Sequence, residues 1–377
     1  MKIVHVTSYP VAKSAGVREV VLGLARAQHD AGANVAVLGL NHPDWPQEKN
    51  EWGEVLTQVV PVVWSERFGY APQMTDALIQ LLPDVVHLHG LWMHHGRSVL
   101  QWHQKTGKPY VVSPHGMLSD VALSYGRRKK KLVSWWFQDQ VFHHAAAIHV
   151  TSTNEAAEVQ KYGIITPTIL VPNGINEMRP PEGQNRHTIL SLGRIHKKKA
   201  LGDLIDAWKY LEEDFPEWSL HIVGPDEGGE LARLQKRVAT TGMRRVSFSG
   251  PVYGNAKLSL MESAGVFALP TLSENFALTV AESLMLEVPV VSSYGAPWAG
   301  LETHGCGYWV PNGAPAMAEG LKRILSLKDE ERKEMGKRGR AWMLKEFTWP
   351  NIANTFLEKY EVIIKQTPQS FSNNPTA

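Results

Sequence analysis

The chain is poor in three things that would each point to a specialised role. It has one cysteine, Cys306, no apolar run approaching a membrane span, and a formal net charge of only +2 over 377 residues. A single thiol makes no intrachain disulfide, which fits a reducing compartment. A spanning helix needs ~20 continuous apolar residues, and no stretch supplies them. Near-neutral charge argues against a dedicated nucleic-acid binder. The GxGxxG spacing of a dinucleotide site is missing, and no short-period repeat is visible. Met1-Lys2 runs at once into Ile3-Val4-His5-Val6, too short and interrupted for a signal-peptide core. The expected location is cytoplasmic.

What remains is ordinary soluble composition, 43% hydrophobic and 20% charged, in a chain long enough for two domains with separate cores. Strand-like runs alternate with helical ones, the pattern of parallel sheets with crossover helices. Strands are expected at 2–7, 34–40, 56–64, 85–88, 110–113, 145–150 and 168–171, with helices over 17–31, 75–82 and 154–162. Asn173-Gly174 and the stretch Pro180 to Asn185 read as a hinge, after which the alternation restarts. The expected division is a Rossmann-like domain over 1–172, a linker over 173–186, a second Rossmann-like domain over 187–350, a helix over 351–365 and a frayed tail over 366–377. The fold class is α/β: two doubly wound parallel-sheet domains, with the active site in the interdomain cleft where strand ends converge.

One stretch organises the second half. Val266 to Pro270 reads as a buried strand, a polar loop carries Glu274, and a helix from Leu278 carries Glu282, with seven residues between the carboxylates. On one helix they would lie about 80° and about 12 Å apart. With Glu274 in the loop, the helix N-terminus lies between them, and its free N–H groups and partial positive charge suit a diphosphate. Two hydroxyl-binding carboxylates around an anion site would match a sugar nucleotide. For Glu-x7-Glu alone, two surface acids near a helix start is the preferred reading.

The longer pattern, Leu269 to Phe276 with Ala281 to Leu284 and Val288 to Val291, resembles the donor-site signature of retaining glycosyltransferases of family 4, which have the GT-B fold. The resemblance implies that Glu274 holds the transferred sugar and Glu282 the ribose, with Asn275, Phe276, Ala277 and Leu278 as the donor loop. The family's Glu-Gly-Phe-Gly reads Glu-Asn-Phe-Ala here, so both glycines are replaced. Gly193 to Leu201 resembles the family's Gly-Arg…Lys-Lys-Gly, which implies that Arg194 and Lys199 neutralise the leaving diphosphate; Ala200 replaces a glycine. A basic loop alone is usually solvated, and Lys197 and Lys198 are read that way.

In the loop from Tyr9 to Val17, Gly16 lets backbone approach an anion at a helix start, and the resemblance sets it near the diphosphate. His115 stands at the carboxyl end of a buried strand, where cleft residues sit; the resemblance places it against the transferring sugar as a positioning or proton-handling group. Gly224 and Gly250, at later strand ends, match loops that hold the nucleotide base. His87, His89, His94 and His95 crowd one strand end, but no acid or thiol among them completes a common zinc set, so no metal is expected and a cleft-lining role falls to His89. No Asp-x-Asp pair of the metal-dependent glycosyltransferases is present. Cys306 reads as incidental.

Arg127 to Lys131 followed by Trp135, Trp136 and Phe137 suits an anionic membrane surface, or equally a solvated helix with its tryptophans in the core. The reaction implied is transfer of a sugar from a UDP- or GDP-linked donor to a hydroxyl of a glycan or lipid-linked glycan, with retention, no cofactor and no metal, at the cytoplasmic face of a membrane and with no nucleic-acid partner. A sugar-nucleotide epimerase, a non-catalytic nucleotide-sugar binder and a dinucleotide dehydrogenase stand as rivals.

Overall fold

A computed structural model describes residues 1–11, 15–179 and 186–367. Residues 12–14 of the first loop, 180–185 of the expected linker and 368–377 of the expected tail lie outside the described residues. The chain forms two compact units: Met1–Gly174 together with the chain from Trp349 onward, and Ile175–Thr348.

Unit 1 is built on a seven-stranded parallel sheet in the order β3-β2-β1-β4-β5-β6-β7. Its strands are β1 (Lys2–Val6), β2 (Asn34–Leu40), β3 (Leu56–Val60), β4 (Val85–His89), β5 (Tyr110–Ser113), β6 (Ala147–Val150) and β7 (Thr168–Leu170). Side chains alternate across the sheet. Val4, Val6, Leu38, Val86, Leu88, Val112 and Ile148 join the core on one face. Ile3, Val35, Val37, Val85, Val111 and Ala147 face the helices Ala15–Asp30 and Trp349–Gln366 on the other. The last helix therefore belongs to the first unit. It is anchored by the Trp349 indole, which lies where a Cβ on Gly23 or Gly174 would be 2.2 Å or 2.3 Å from it.

Unit 2 has a six-stranded sheet in the order β10-β9-β8-β11-β12-β13. The strands are β8 (Thr188–Leu192), β9 (Ser219–Val223), β10 (Val246–Ser249), β11 (Val266–Leu269), β12 (Val290–Ser293) and β13 (Gly307–Val310), every pairing parallel. The central strands β11 and β12 are buried along their whole length, and residues of β8, β11 and β12 join the cores on both faces; the edge strand β10 alternates between half-buried and exposed residues.

The structure corrects the sequence expectations in several places. The third strand ends at Val60 and not at Trp64, because Pro61 brings no N–H to the ladder. A helix over His94–Thr106 was not expected. The basic segment is not one helix: Arg127–Val133 passes into a π-helical turn, Ser134–Gln138, before Asp139–His143 continues.

Candidate active site

In unit 2 the strand ends and the loops after them form one connected structure. The Gly193 N–H donates to the Val223 carbonyl and the Gly224 N–H to that of Ser249. Gly224 is obligatory for space: a Cβ there would lie 1.9 Å from the Gly193 carbonyl oxygen. Nothing lies within 4 Å of a Cβ built on Gly250 or Gly16, so neither position needs glycine for room. Gly16 lies in the first turn of the helix Ala15–Asp30.

The two expected motifs meet. After β8 the chain turns through a short 3-10 helix, Lys197–Lys199, capped by His196. The Lys198 carbonyl accepts from the Leu272 N–H at 2.9 Å and the Thr271 hydroxyl at 3.2 Å. That docking brings Lys199 Nζ to 2.7 Å from Glu274 Oε1, with both side chains 16% exposed. The same Thr271 proton is shared with Glu274 Oε1, 3.0 Å away. The Glu274 N–H donates to the Gly295 carbonyl at 2.7 Å, and a Cβ on Gly295 would meet the Thr271 carbonyl at 2.1 Å. The Glu274 loop is therefore held by backbone on both sides.

Glu282 lies within the helix Leu278–Met285, and Ala277 is the N-cap residue, so the helix start does fall between the carboxylates. Lys257, which sequence reasoning missed, donates from Nζ to Glu282 Oε1 at 2.6 Å. Glu282 Oε2 is buried and has no hydrogen-bond partner, an open acceptor of the kind a buried site seldom leaves. Arg194 is 65% exposed and pairs with Glu227 Oε2 at 2.9 Å. The pairing follows from backbone bonds that join Ile195 to Pro225 and Glu227. Lys197 is exposed, as expected, whereas Lys198 is half-buried.

Two departures from the family pattern acquire a physical meaning. Ala200 has φ 47° and Ala277 φ 64°, left-handed values that glycine adopts without penalty. The backbone keeps the glycine conformation without the glycine. Phe276 needs a correction: its ring is buried against Trp298 and Phe347, and its carbonyl accepts from the Trp298 indole at 2.6 Å. Only its N–H is left to face a ligand. Asn275 and Leu278 flank it, half-buried.

In unit 1, His115 has φ 52° and is followed by Gly116 at φ 72°. Glu155 fastens this turn, accepting from the Gly116 N–H at 2.7 Å and the Thr151 N–H at 2.8 Å. His115 Nε2 lies 3.0 Å from His89 Nδ1, and burial lowers its pKa to about 3. His89 does not line an open surface: it is buried, between His115 and His5. His5, His87 and His89 bring ring nitrogens within 4.8 Å of one another, as a metal set would. Each of those rings, however, has both nitrogens in hydrogen bonds to Gln28, Tyr360, Ser113, His115 or one another. Holding an ion there would break those bonds. His5, Gln28, His149 and Tyr360 were all missed. The signal was present in part, since His5, His87, His89 and His149 interrupt otherwise apolar strands. Cys306 is buried, and burial pushes its thiol up to about 12, the state of an inert core residue.

The basic segment borders a cavity of about 480 Å³ lined by Trp92, Arg127, Lys130, Lys131, Ser134 and Tyr162 among others. Trp135 is 80% exposed, and Leu132 and Trp136 are exposed beside it, whereas Phe137 is in the core. No described helix is long and apolar enough to cross a membrane.

Comparison with known proteins agrees with this geometry. Residues 175–342 match the family described as glycosyl transferases group 1, and residues 15–174 match the glycosyl transferase 4-like domain. The GDP-mannose:cellobiosyl-diphosphopolyprenol alpha-mannosyltransferase of Xanthomonas campestris is 25% identical over 97% of each chain. The phosphatidyl-myo-inositol mannosyltransferase of Mycobacterium tuberculosis H37Rv is 25% identical over 72% of this chain and 76% of its own. Among solved structures, Anabaena HepE in complex with UDP and glucose superposes with a TM-score of 0.75, at 16% identity, over 96% of this chain and 100% of that one. The fold is GT-B.

Proposed function

The chain belongs to the glycosyl transferases group 1 family, and from that premise we propose that it transfers a hexose from a nucleoside diphosphate sugar to a hydroxyl of a lipid-linked glycan, with retention and without a metal ion. The observation that carries the reading is the pair of lysine–carboxylate contacts, Lys199–Glu274 and Lys257–Glu282, on either side of one helix start. The two carboxylates take different parts. Glu282 Oε2, buried and unpartnered, accepts from a ribose hydroxyl. Glu274 accepts from hydroxyls of the sugar, and its partner Lys199 supplies positive charge to the departing diphosphate with Arg194. Gly224 makes room for the Gly193 carbonyl, and so for the turn that carries Arg194 and Lys199.

GDP-mannose is the first donor to test, because two of the relatives are named as mannosyltransferases, one of them with GDP-mannose in its name. On the acceptor side, Arg127, Lys130 and Lys131 around the cavity suit a phosphate group, and exposed Leu132 and Trp135 suit the headgroup region of a membrane. With such an acceptor the proposed working position is the cytoplasmic face of a membrane.

The test is a thermal-shift panel of UDP, GDP, ADP, CMP and NAD with and without EDTA. A ligand bound only by the folded state raises the midpoint by mass action. One nucleoside diphosphate should raise it, GDP first, and EDTA should leave the shift unchanged. A shift with NAD alone, or with none, would overturn the donor assignment. Co-sedimentation with anionic vesicles, lost in Trp135→Ser, checks the membrane part.

A further inference from the structure

The buried polar residues of unit 1 form a directed hydrogen-bond chain, and we propose that this chain fixes His115 as its Nε2–H tautomer, leaving Nδ1 as a lone-pair acceptor that takes a substrate hydroxyl and rejects a phosphate oxygen. The substrate clause rests on the function proposed above; the tautomer does not.

The direction is set at one end by a group that only accepts. The Val171 carbonyl lies 2.8 Å from His149 Nε2, so that nitrogen carries the proton. A neutral imidazole has one donor and one acceptor, so His149 Nδ1 accepts from the Ser113 hydroxyl at 2.6 Å. The single Ser113 proton is then committed, and its oxygen accepts from His87 Nε2–H at 2.6 Å. His87 Nδ1 in turn accepts from the Tyr360 hydroxyl at 2.5 Å.

Gln28 carries the direction onward. The Tyr360 proton is spent, so its oxygen can only accept. Gln28 Oε1 lies 2.8 Å from His5 Nε2 and accepts from it, and the Gln28 NH2 group, which makes no hydrogen bond of its own, is turned away from His5 toward the Tyr360 hydroxyl. His5 Nδ1 accepts from His89 Nε2–H at 2.9 Å, and His89 Nδ1 accepts from His115 Nε2–H at 3.0 Å. No hydrogen bond among the described residues uses His115 Nδ1.

The chain requires neutral rings, and burial provides them. His5 and His149 are lowered to about 4, and His87 and His89 well below the ordinary value. A proton added to any of them would set two donors face to face. Tyr360 and Gln28 are thus positioning residues for His115, acting from the last and first helices of the unit.

Long-range 15N–1H correlation on [15N]histidine-labelled protein at pH 7 reads the tautomer directly in the intact chain, with His115→Gln used for assignment. A protonated Nε2 and an unprotonated Nδ1 at His115 are expected. A protonated Nδ1, or an imidazolium, would overturn the proposal. Tyr360→Phe removes the group that orients Gln28, so the His115 signals should move to values averaged between tautomers. In the same variant kcat should fall several-fold while the nucleotide Kd stays within twofold. An unchanged His115 tautomer in folded Tyr360→Phe would show that the direction is not set through Gln28. If the tautomer is as stated but His115→Ala transfers sugar at the full rate, the chain stands and the substrate clause fails.

Discussion

The two units place polar groups at the carboxyl ends of parallel strands by opposite means. Unit 1 uses neutral rings: His5, His87, His89 and His149 are buried under the helix Trp349–Gln366 and joined in hydrogen bonds. Unit 2 uses charge. Lys199–Glu274, Lys257–Glu282 and Arg194–Glu227 are ion pairs left partly in water. A buried neutral network is held by geometry and fixes where each proton sits. Solvent-accessible ion pairs are weak as supports, and their partners can be exchanged for a ligand's charges at little cost. On the function proposed above, the first unit orients and the second handles charge.

The largest expected effect is of acid on unit 1. The ordinary histidine value is 6.5, and burial holds His5 and His149 at about 4 in the folded chain. These folded values are depressed, so between those limits the unfolded chain binds more protons and stability falls as pH falls. Above pH 6.5 the contribution is fully present. By pH 4 the two together have lost on the order of 6 kcal/mol, and His87 and His89 act in the same direction. That is comparable to the whole stability of a typical domain, roughly 5–15 kcal/mol. In unit 2 the corresponding downward shift is resolved at His221. Hydrogen exchange measured from pH 7 to 5, corrected for intrinsic rates, should show protection falling in β1, β4 and β6 before it falls in β8 and β11. Equal loss in both units, or none in unit 1, would break the comparison.

What is legible in the sequence is local. Alternating strands and helices declare two parallel sheets, and Gly193 to Leu201 and Ser273 to Ser283 each carry a family resemblance within a short segment. What was illegible was brought together by the fold. Lys257 reaches Glu282 from a helix 25 residues earlier. Tyr360 reaches His87 across 273 residues. His5 meets the others because β1 and β4 pair with His5 opposite His87, a register that no single segment encodes. Periodicity still offered a clue: a histidine in a strand buried on both faces must find partners. The crowded histidines suggest a metal set, disfavoured for want of an acid or thiol, and a cleft-lining His89; hydrogen bonding to one another is the competing use that the structure shows.

The next effect sharpens the charge side of the comparison. Glu282→Ala removes the proposed ribose acceptor and should weaken nucleotide binding about 10- to 100-fold, the worth of a hydrogen bond to a charged group. Glu274→Ala should leave nucleotide binding within a few-fold and lower transfer about 10²- to 10³-fold, as loss of transition-state contacts does. Calorimetric titration with the nucleotide and a transfer assay separate the two. Full activity in both variants would show that neither carboxylate has its assigned part.

The smallest effect concerns the two alanines that stand where the family has glycine. Each adopts left-handed backbone, Ala200 at φ 47° and Ala277 at φ 64°, which costs an L-residue roughly 1–2 kcal/mol. Glycine removes that cost but gives back about 0.5–1 kcal/mol in unfolded-chain entropy. The balance therefore turns on the methyl group. Ala277 packs against the core around Trp298 and Phe347, and a buried methyl contributes about 0.8 kcal/mol, so Ala277→Gly should be close to neutral. Ala200 stands outside the core clusters of its unit, and Ala200→Gly should stabilise by ~0.5–1 kcal/mol, a rise of a few degrees at most in a domain of this size. Thermal melts of the two variants in parallel decide it. If Ala277→Gly gains as much as Ala200→Gly, the Ala277 methyl contributes no packing, and its retention beside the donor loop has to be explained by the ligand and not by the fold.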